Sequence, residues 1–330
     1  MKKLSVIAVV ALLASALNAA VIVDFVNKRD RVFKPEEIAK TEEIAPKKLL
    51  RKPAKTRNIL VFTRTAGYRH CDGIPAFNEL LKAMDKNFKG SWNLTFTEDI
   101  EMFKPEVLKK FDCIILNNPT GPFFGADEKA RKEMTKEERD ENNRFNNSYL
   151  QHLLDYVENG GGVMGLHAAC DANGGTRYVE MMGGLFAGHP WNADNPDVTV
   201  IIEEPNSALL RNVWKGKEFK IQDEIYTFRD ESFDRGLQRV LMSLDYDRSP
   251  LKDPSVDAMT KTSRKSKDFG LAWVKTFGKG RIFYGAFGHR HDVYMRNPEL
   301  AEFYCRGIQF ACGDLKVETA PRGELKPSKK

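Results

Sequence analysis

The chain has 330 residues, 42% of them hydrophobic and 30% charged, so it is long enough for one large α/β domain with a full apolar core. Its formal net charge of +6 is concentrated near the start, where residues 27–57 hold eleven Lys and Arg against five acids. The rest of the chain, from Asn58 onward, is close to neutral and has no basic stripe with interleaved aromatic residues, which argues against nucleic acid as a partner.

The first twenty residues are typical of an export signal. Lys2 and Lys3 precede an apolar run from Leu4 to Leu17, and the small residues Ala19 and Ala20 follow it. The run is short for a membrane span, which needs roughly 20 residues. We therefore predict a periplasmic or extracellular protein without stable membrane insertion after signal cleavage, and leave the cleavage itself open.

Residues 21–57 are rich in Lys, Glu, Pro and Ala without a sustained period, which predicts a solvated basic linker or arm with one short helix at Pro35–Thr41. The folded domain is expected over residues 58–313, followed by a polar, frayed tail at 314–330. The strongly charged stretch 126–147 is interpreted as a solvated loop or helix that leads into the next helix, in preference to a lid over a substrate.

Within the domain, strands alternate with helices. Apolar runs predict strands at Ile59–Phe62, Trp92–Thr97, Asp112–Leu116, Val163–Leu166, Val198–Glu203, Ile221–Arg229, Gln238–Leu244, Leu271–Thr276 and Arg281–Gly285. Helices are predicted near Thr176 and at Ile74–Asp85, Lys104–Lys110, Asn147–Asn159 and Asn297–Ala311. The regular alternation in the first half predicts an α/β fold with a mostly parallel sheet and right-handed crossovers, to which the second half adds antiparallel strands.

The cysteines form a sparse and odd-numbered set, unlike a disulfide framework: Cys71, Cys113, Cys170, Cys305 and Cys312. Cys305 and Cys312 share a predicted helix and lie about 10 Å apart along its axis, too far to bond. Most of the five are interpreted as small buried hydrophobic residues.

The candidate site starts at His167. Glycines at 160–162 end a helix, a short apolar strand follows, and His167 stands at the end of that strand, four residues before Asp171. Ligands of open α/β sheets bind beyond the carboxyl ends of the strands, so His167 and Asp171 are placed at the edge of a candidate active site. A purely structural role, with glycines that serve only the turn, stays open at this point.

Residues capable of chemistry are concentrated in a few predicted loops, and five of the six histidines lie there, whereas His152 falls inside a helix. Histidine titrates near neutral pH and is the commonest neutral metal ligand, so one shared site is favoured over five separate structural histidines. The candidate catalytic residues are His167, Asp171, His189 and Glu224. Tyr68, Trp191 and Tyr226 offer flat faces of the kind that pack against sugar rings. The full set of candidates for substrate binding is Tyr68, Arg69, His70, Asn117, Asn118, Trp191, Tyr226, His289, His291 and Asp292.

Other kinds of site fit the sequence less well. A nucleophile elbow needs Ser or Cys where this chain has His167, although a pair of Cys170 with a histidine stays open. The glycines 160–162 precede a strand, whereas a phosphate-binding loop follows one. No H-x-x-x-H or H-E-x-x-H motif supports a metal, but a divalent, zinc-like ion is left open, with His70, His167 and His189 as candidate ligands.

The chain resembles the ThuA-like family, named for trehalose utilisation, from about Asn58 to Gly313. The resemblance rests on Gly67-Tyr-Arg-His70, Gly165-Leu-His167-Ala-Ala, Gly183-Gly-Leu-Phe-Ala-Gly188-His189-Pro, Asp223-Glu224-Ile-Tyr226, Gly278-Lys-Gly-Arg281-Ile-Phe-Tyr284 and Gly288-His289. It implies a flavodoxin-like three-layer α/β/α sandwich in the class I glutamine amidotransferase-like superfamily. The nucleophilic cysteine of those enzymes falls at His167 here, so amidotransferase activity does not carry over. The export signal and the charged stretch at 126–147 depart from the family pattern.

The resemblance also implies a role in carbohydrate utilisation. We therefore expect an exported enzyme that acts on a sugar or keto-sugar derivative by acid/base chemistry, as a hydrolase, lyase or isomerase, with or without a metal. Two alternatives stay open: a non-catalytic carbohydrate-binding protein with a degenerate amidotransferase-like fold, and a scaffold whose His-rich loops contact a partner protein. The sequence leaves the exact substrate and any homo-oligomer undecided.

Overall fold

A computed structural model of the chain describes residues 27–252 and 267–323. The predicted export signal at 1–20 and the end of the predicted tail at 324–330 lie outside the described residues. Within the two described ranges, no helix is both long enough and apolar enough to cross a membrane.

The strands of the described residues are β1 (Arg57–Phe62), β2 (Trp92–Thr97), β3 (Cys113–Asn117), β4 (Gly162–Leu166), β5 (Phe186–Trp191), β6 (Val198–Ile202), β7 (Glu218–Ile221), β8 (Ile225–Phe228), β9 (Arg239–Leu244), β10 (Gly270–Phe277) and β11 (Gly280–Gly285). The helices are α1 (Pro35–Ile44), α2 (Gly73–Phe88), α3 (Pro105–Leu108), α4 (Glu128–Glu133), α5 (Lys136–Glu158), α6 (Arg177–Met182), α7 (His291–Met295) and α8 (Pro298–Ala311). Single 3₁₀ turns occupy Ile100–Phe103 and His167–Cys170.

One large sheet organises the domain, with the strand order β2-β1-β3-β4-β11-β10-β9-β6-β7. The pairs from β2 to β11 are parallel, and those from β11 to β7 are antiparallel. The side chains of β3 and β4 are buried throughout, as expected for parallel strands covered on both faces. The predicted α/β class, with a parallel sheet and added antiparallel strands, is therefore confirmed.

Two glycines of β4 show that helices cover both faces of the sheet. A Cβ on Gly162 would clash with the carbonyl oxygen of Ala311 in α8, whereas a Cβ on Gly165 would clash with Met182 of α6. Residues three apart on a strand point to opposite faces, so α8 and α6 lie on opposite sides of β4. This is the three-layer arrangement implied by the family resemblance.

The segment at 27–57 is attached to the domain at a few buried positions, although most of its side chains are at least partly exposed. Phe33, Thr41 and Ala45 are buried, and the predicted short helix is present as α1. The many charged residues hid the apolar pattern of this segment in the sequence. Its few apolar side chains lie on the side that faces the domain, where they pack in or against the core. The described part of the predicted frayed tail is also attached, since Leu315 and Val317 pack against the core.

The charged stretch at 126–147 is helical, which confirms the interpretation as a helix that leads into the next one. It contains α4 and the first half of α5, and α5 begins at Lys136 instead of the predicted Asn147. Thr135 caps α5 by accepting a hydrogen bond from the backbone N–H of Glu138, whose carboxylate accepts one from the N–H of Thr135.

The predicted strand Ile221–Arg229 is interrupted, and this break creates part of the site. β7 ends at Ile221 and β8 begins at Ile225. Between them, the buried carboxylate of Asp223 accepts hydrogen bonds from the backbone N–H groups of Gly288 (2.6 Å) and Arg290 (3.0 Å). These hydrogen bonds are not part of the strand pairing in the sheet. They connect the segment that carries Glu224 to the loop after β11.

Candidate functional site

Three loops that follow the parallel strands β1, β4 and β11 bring His70, His167 and His289 to one edge of the sheet. The first and third loops touch directly, because a Cβ on Gly73 would clash with the carbonyl oxygen of Gly288. The carboxyl ends of neighbouring parallel strands meet at one edge, which explains the convergence of residues far apart in sequence.

The centre of the site is a group that we call the imidazole cluster, formed by His70, His167, Glu224 and His289. Each residue offers one nitrogen or oxygen atom, and all four atoms lie within 4.8 Å of one another. Glu224 Oε1 lies 3.4 Å from His167 Nε2 and 3.1 Å from His289 Nδ1. The His70 ring stands edge-on to the rings of His167 and His289, with centroid distances of 4.9 and 5.0 Å.

Several ring nitrogens in the cluster are buried but unpaired. His70 Nδ1, His167 Nε2 and His289 Nδ1 have no aligned hydrogen-bond partner among the described residues, in spite of the short distances to Glu224. Buried polar atoms in folded proteins are normally paired, and each unpaired one costs about 1–3 kcal/mol. The cluster therefore carries buried, unpaired ring nitrogens, as a site that binds a ligand would.

His167 is held at a strained elbow between β4 and the 3₁₀ turn. Its backbone has a left-handed φ of 38°, which is costly for a residue with a side chain and typical of functional sites. Its Nδ1–H donates to the carbonyl oxygen of Ala286 at 2.6 Å, a bond that leaves Nε2 as the free lone pair. The Tyr284 hydroxyl donates to the carbonyl oxygen of His167 at 2.8 Å. The elbow thus presents an imidazole at the end of β4.

The charges of the cluster are set by burial and by mutual contact. Burial opposes the ionisation of Glu224, but its contacts with His167 and His289 prevail and hold the pKa of the carboxyl well below its usual range. Burial, together with the neighbouring imidazoles, lowers the pKa of His70 well below its usual value. The cluster accordingly combines an ionised carboxylate with a neutral His70.

Aromatic rings and one further histidine surround the cluster. Tyr226 packs on His167 with a centroid distance of 4.2 Å, and its hydroxyl lies 3.5 Å from His70 Nε2. His189 Nδ1 lies 3.5 Å from the second oxygen of Glu224, and the His189 side chain is half exposed. The exposed ring of Tyr68 stacks on His289 at 6.4 Å. The outer side of the cluster is therefore reachable from solvent.

A polar cleft of about 850 Å³ adjoins the cluster, a volume within the range of small-molecule sites. Its lining includes Asp171, Asn173 and Phe186. Phe186 stacks on His189 and contacts Tyr226, which joins this wall of the cleft to the cluster. Burial raises the pKa of Asp171 to about 6, with His167 opposing the rise and Glu224 adding to it.

The buried carboxylate of Asp171 predicts a pH-dependent stability. Its pKa lies above the unfolded value, so the folded state loses stability as pH rises from about 4 through 6. The measurement uses protein treated with a chelator, so that no bound metal ion alters the charge next to Asp171. Asp171→Asn should then raise the free energy of unfolding at pH 8 by up to about 3 kcal/mol, and by about half of that at pH 5. Urea titrations at the two pH values measure the difference.

The control is Asp194→Asn, since the Asp194 side chain is 75% exposed and its change should shift stability by less than about 0.5 kcal/mol at either pH. An Asp171→Asn variant no more stable than the parent at pH 8 would contradict the role of burial.

Three residues predicted to bind a carbohydrate support the structure instead of facing the cleft. Arg69 is buried and pairs with Asp30 and Glu98. Asn117 Nδ2 donates to the carbonyl oxygen of Ile74 and to Asn78 Oδ1. Asn118 lies next to the elbow, where its Oδ1 accepts from the backbone N–H of Ala168 at 3.3 Å.

The structure also places Trp191, His291 and Asp292 outside the cluster. Trp191 is fully buried, and its indole N–H donates to the carbonyl oxygen of Ser249. His291 Nδ1 lies 3.3 Å from a guanidinium nitrogen of Arg31, and the Asp292 carboxylate pairs with Arg290. His289 and His291 therefore do not act together.

The metal candidates need a correction as well. His70 and His167 belong to the set of atoms that could hold an ion, but His189 does not, and His289 and Glu224 complete the set. Cys170 is fully buried, and burial raises the pKa of its thiol well above the usual value, which removes it as a nucleophile.

Some residues of the site carried no distinct signal in the sequence. The Ala286 carbonyl that orients His167 belongs to the backbone, so its residue type gives no indication of the role. Phe186 lies inside the Gly183–His189 motif, where its stacking on His189 could have been inferred from adjacency alone. The sixth histidine, His152, lines another cleft of about 570 Å³ at the opposite rim, with Arg57 and Arg281.

Solved structures that share this fold include two ThuA-like proteins. A ThuA-like protein from Bacteroides uniformis ATCC 8492 has 21% identity and a TM-score of 0.53, covering 78% of this chain and 92% of that chain. A ThuA-like protein from Parabacteroides merdae ATCC 43184 has 15% identity and a TM-score of 0.51, covering 80% of this chain and 93% of that chain. At these identities the likeness extends to the fold alone.

The chain matches none of the curated proteins with which it was compared. The ThuA family model, described as trehalose utilisation, matches residues 58–311 and so spans most of the sequence. The fold, the motifs around the cluster and this match agree. The chain therefore belongs to the ThuA family.

Proposed function

We propose that this protein is an exported acid/base enzyme of carbohydrate utilisation that acts on a sugar or keto-sugar derivative. The observation that carries the proposal is the position of Asp171 on the wall of a polar cleft that Phe186 joins to the imidazole cluster, and burial there raises the pKa of this carboxyl to about 6. A group with this pKa exchanges protons near neutral pH, where general acid/base catalysis is most effective. The family description supports the substrate class.

The geometry suggests distinct roles around the cleft. Asp171 would transfer a proton to or from the substrate. His189, half exposed and paired with the second oxygen of Glu224, would act as its counterpart. Phe186, which stacks on His189 and lines the cleft, offers an apolar face for a sugar ring. This arrangement fits proton transfer next to a carbonyl, as in elimination or isomerisation, and also assisted hydrolysis.

The test is a screen of purified protein with disaccharides, including trehalose, and their 3-keto derivatives, with products followed by NMR. We expect turnover of at least one keto-sugar, and a loss of about 10²–10⁴-fold in Asp171→Asn and in His189→Gln. His291→Gln is the matched control, because His291 lies outside the cluster, and it should keep full activity. Saturable binding of sugar without any product would favour a carbohydrate-binding protein.

A further inference from the structure

We infer that the imidazole cluster is a binding site for one divalent transition-metal ion, held by His70, His167, His289 and Glu224. Metal binding itself is independent of the proposed function; only a catalytic role of the ion in converting the sugar rests on that proposal.

The separations of the donor atoms suit a common ion. Metal–ligand bonds to imidazole and carboxylate are about 2.0–2.2 Å long, so neighbouring ligands of one ion lie about 3.0–3.4 Å apart. Glu224 Oε1 is 3.4 Å from His167 Nε2 and 3.1 Å from His289 Nδ1. With His70 included, all four atoms stay within 4.8 Å. Small side-chain adjustments would bring the four atoms onto one ion.

A hydrogen-bonded network of histidines is the structural alternative, and the unpaired nitrogens argue against it. Such a network would pair each buried nitrogen, whereas His70 Nδ1, His167 Nε2 and His289 Nδ1 have no aligned partner among the described residues. Both His70 and His167 are almost fully buried. A single divalent cation would offset the charge of Glu224 and give the four donor atoms of the cluster a common partner.

The surrounding groups orient the ligands as they do in known metal sites. A metal-bound histidine usually donates its second N–H to a carbonyl or a carboxylate, and His167 Nδ1–H donates to the carbonyl oxygen of Ala286. Asp223 fixes the loop of His289 through the backbone N–H groups of Gly288 and Arg290. Because Glu224 follows Asp223 directly in sequence, the same anchor holds two ligands in register.

The donor set indicates the class of ion. Three imidazoles and one carboxylate favour a first-row transition metal such as Zn²⁺, Co²⁺, Ni²⁺ or Fe²⁺ over Mg²⁺ or Ca²⁺, which prefer oxygen ligands. Tyr68 is exposed and His289 partly so, which leaves the outer side of the cluster open to solvent. An ion there could polarise the carbonyl of a keto-sugar that enters from the cleft.

The test measures metal binding without any sugar. Chelator-stripped protein is titrated with Zn²⁺ and Co²⁺ by calorimetry, and bound metal is counted by elemental analysis after gel filtration. We expect one ion per chain and visible Co²⁺ absorption bands. Glu224→Gln, which keeps the shape of the side chain, and His289→Asn should each weaken binding by at least about 100-fold, since even outer partners of metal ligands are worth 10–100-fold.

The matched controls are His291→Gln and His152→Gln, which remove histidines outside the cluster and should leave affinity and absorption unchanged. Far-UV circular dichroism checks that every variant is folded. Wild-type protein that binds no ion at micromolar concentrations, or cluster variants that bind as tightly as the controls, would overturn the inference. Metal uptake without turnover of any sugar would leave this inference standing and remove the proposed function; turnover by chelated protein that takes up no ion would do the reverse.

Discussion

Replacing Arg69 with Met should lower the free energy of unfolding by about 3–5 kcal/mol, because it leaves a buried carboxylate without its partner. The side chains of Arg69 and Asp30 are 2% and 5% exposed, and the guanidinium contacts both oxygens of Asp30, at 2.6 and 2.7 Å. Arg69 also donates to the carbonyl oxygen of Thr63 at 2.8 Å. Chemical denaturation of the two proteins under identical conditions measures the loss.

Two further variants separate the ion pair from other effects. Adding Asp30→Asn to Arg69→Met removes the orphaned charge and should recover part of the lost stability. Arg248→Met removes an arginine that is about half exposed together with its ion pairs to Glu218 and Asp245, so its cost should be much smaller than that of Arg69→Met. If Arg69→Met instead raised KM for a sugar at unchanged stability, the substrate-binding role predicted from the sequence would be restored.

The largest expected loss of activity follows from replacing His167 with Asn. Asn tolerates the left-handed backbone of the elbow better than Ala, so the elbow itself should survive. The variant loses the imidazole next to Glu224 and the bond to Ala286, which should reduce kcat/KM by at least about 10³-fold. Stability should fall by only about 1–3 kcal/mol, the cost of one buried carbonyl left unpaired.

Steady-state kinetics on the keto-sugar identified by the screen, paired with thermal unfolding, provide the measurement for His167→Asn. The comparison variant is His152→Asn, at the opposite rim, for which we expect unchanged kinetics. An unfolded His167→Asn protein would show that the elbow histidine serves the fold, and full activity would exclude it from the site.

Sequence patterns identified the parallel half of the sheet because buried strands such as β1 and β4 are continuous apolar runs. The order of these strands also places the loops after β1, β4 and β11 together, so the convergence of His70, His167 and His289 follows from the topology. The topology does not determine, however, which way each side chain within a loop points. His291 is the first residue of α7, whose turn takes it away from His289 and towards Arg31.

Trp191, predicted to bind a substrate, shows how an irregular strand can separate a residue from its neighbours in sequence. Two positions after His189 in an extended strand, its side chain should share the face of the histidine. The pairing of β5 with β8 shifts register between Gly188 and Trp191, so the alternation is broken there and the indole is buried in the core. Such an irregularity depends on the partner strand, and no local pattern in β5 reveals it.

The pairing of Arg69 with Asp30 has a practical consequence for anyone who works with a shortened form of this protein. The stretch shared with the family starts at residue 58, but the counter-charge that Arg69 needs comes from residue 30, and Phe33 inserts beside it into the same unit. A fragment trimmed to the homologous boundary would therefore expose apolar surface and leave Glu98 as the remaining ion-pair partner of Arg69, next to the loop that presents His70. The unit that packs together in this structure thus extends beyond the stretch that matches the family.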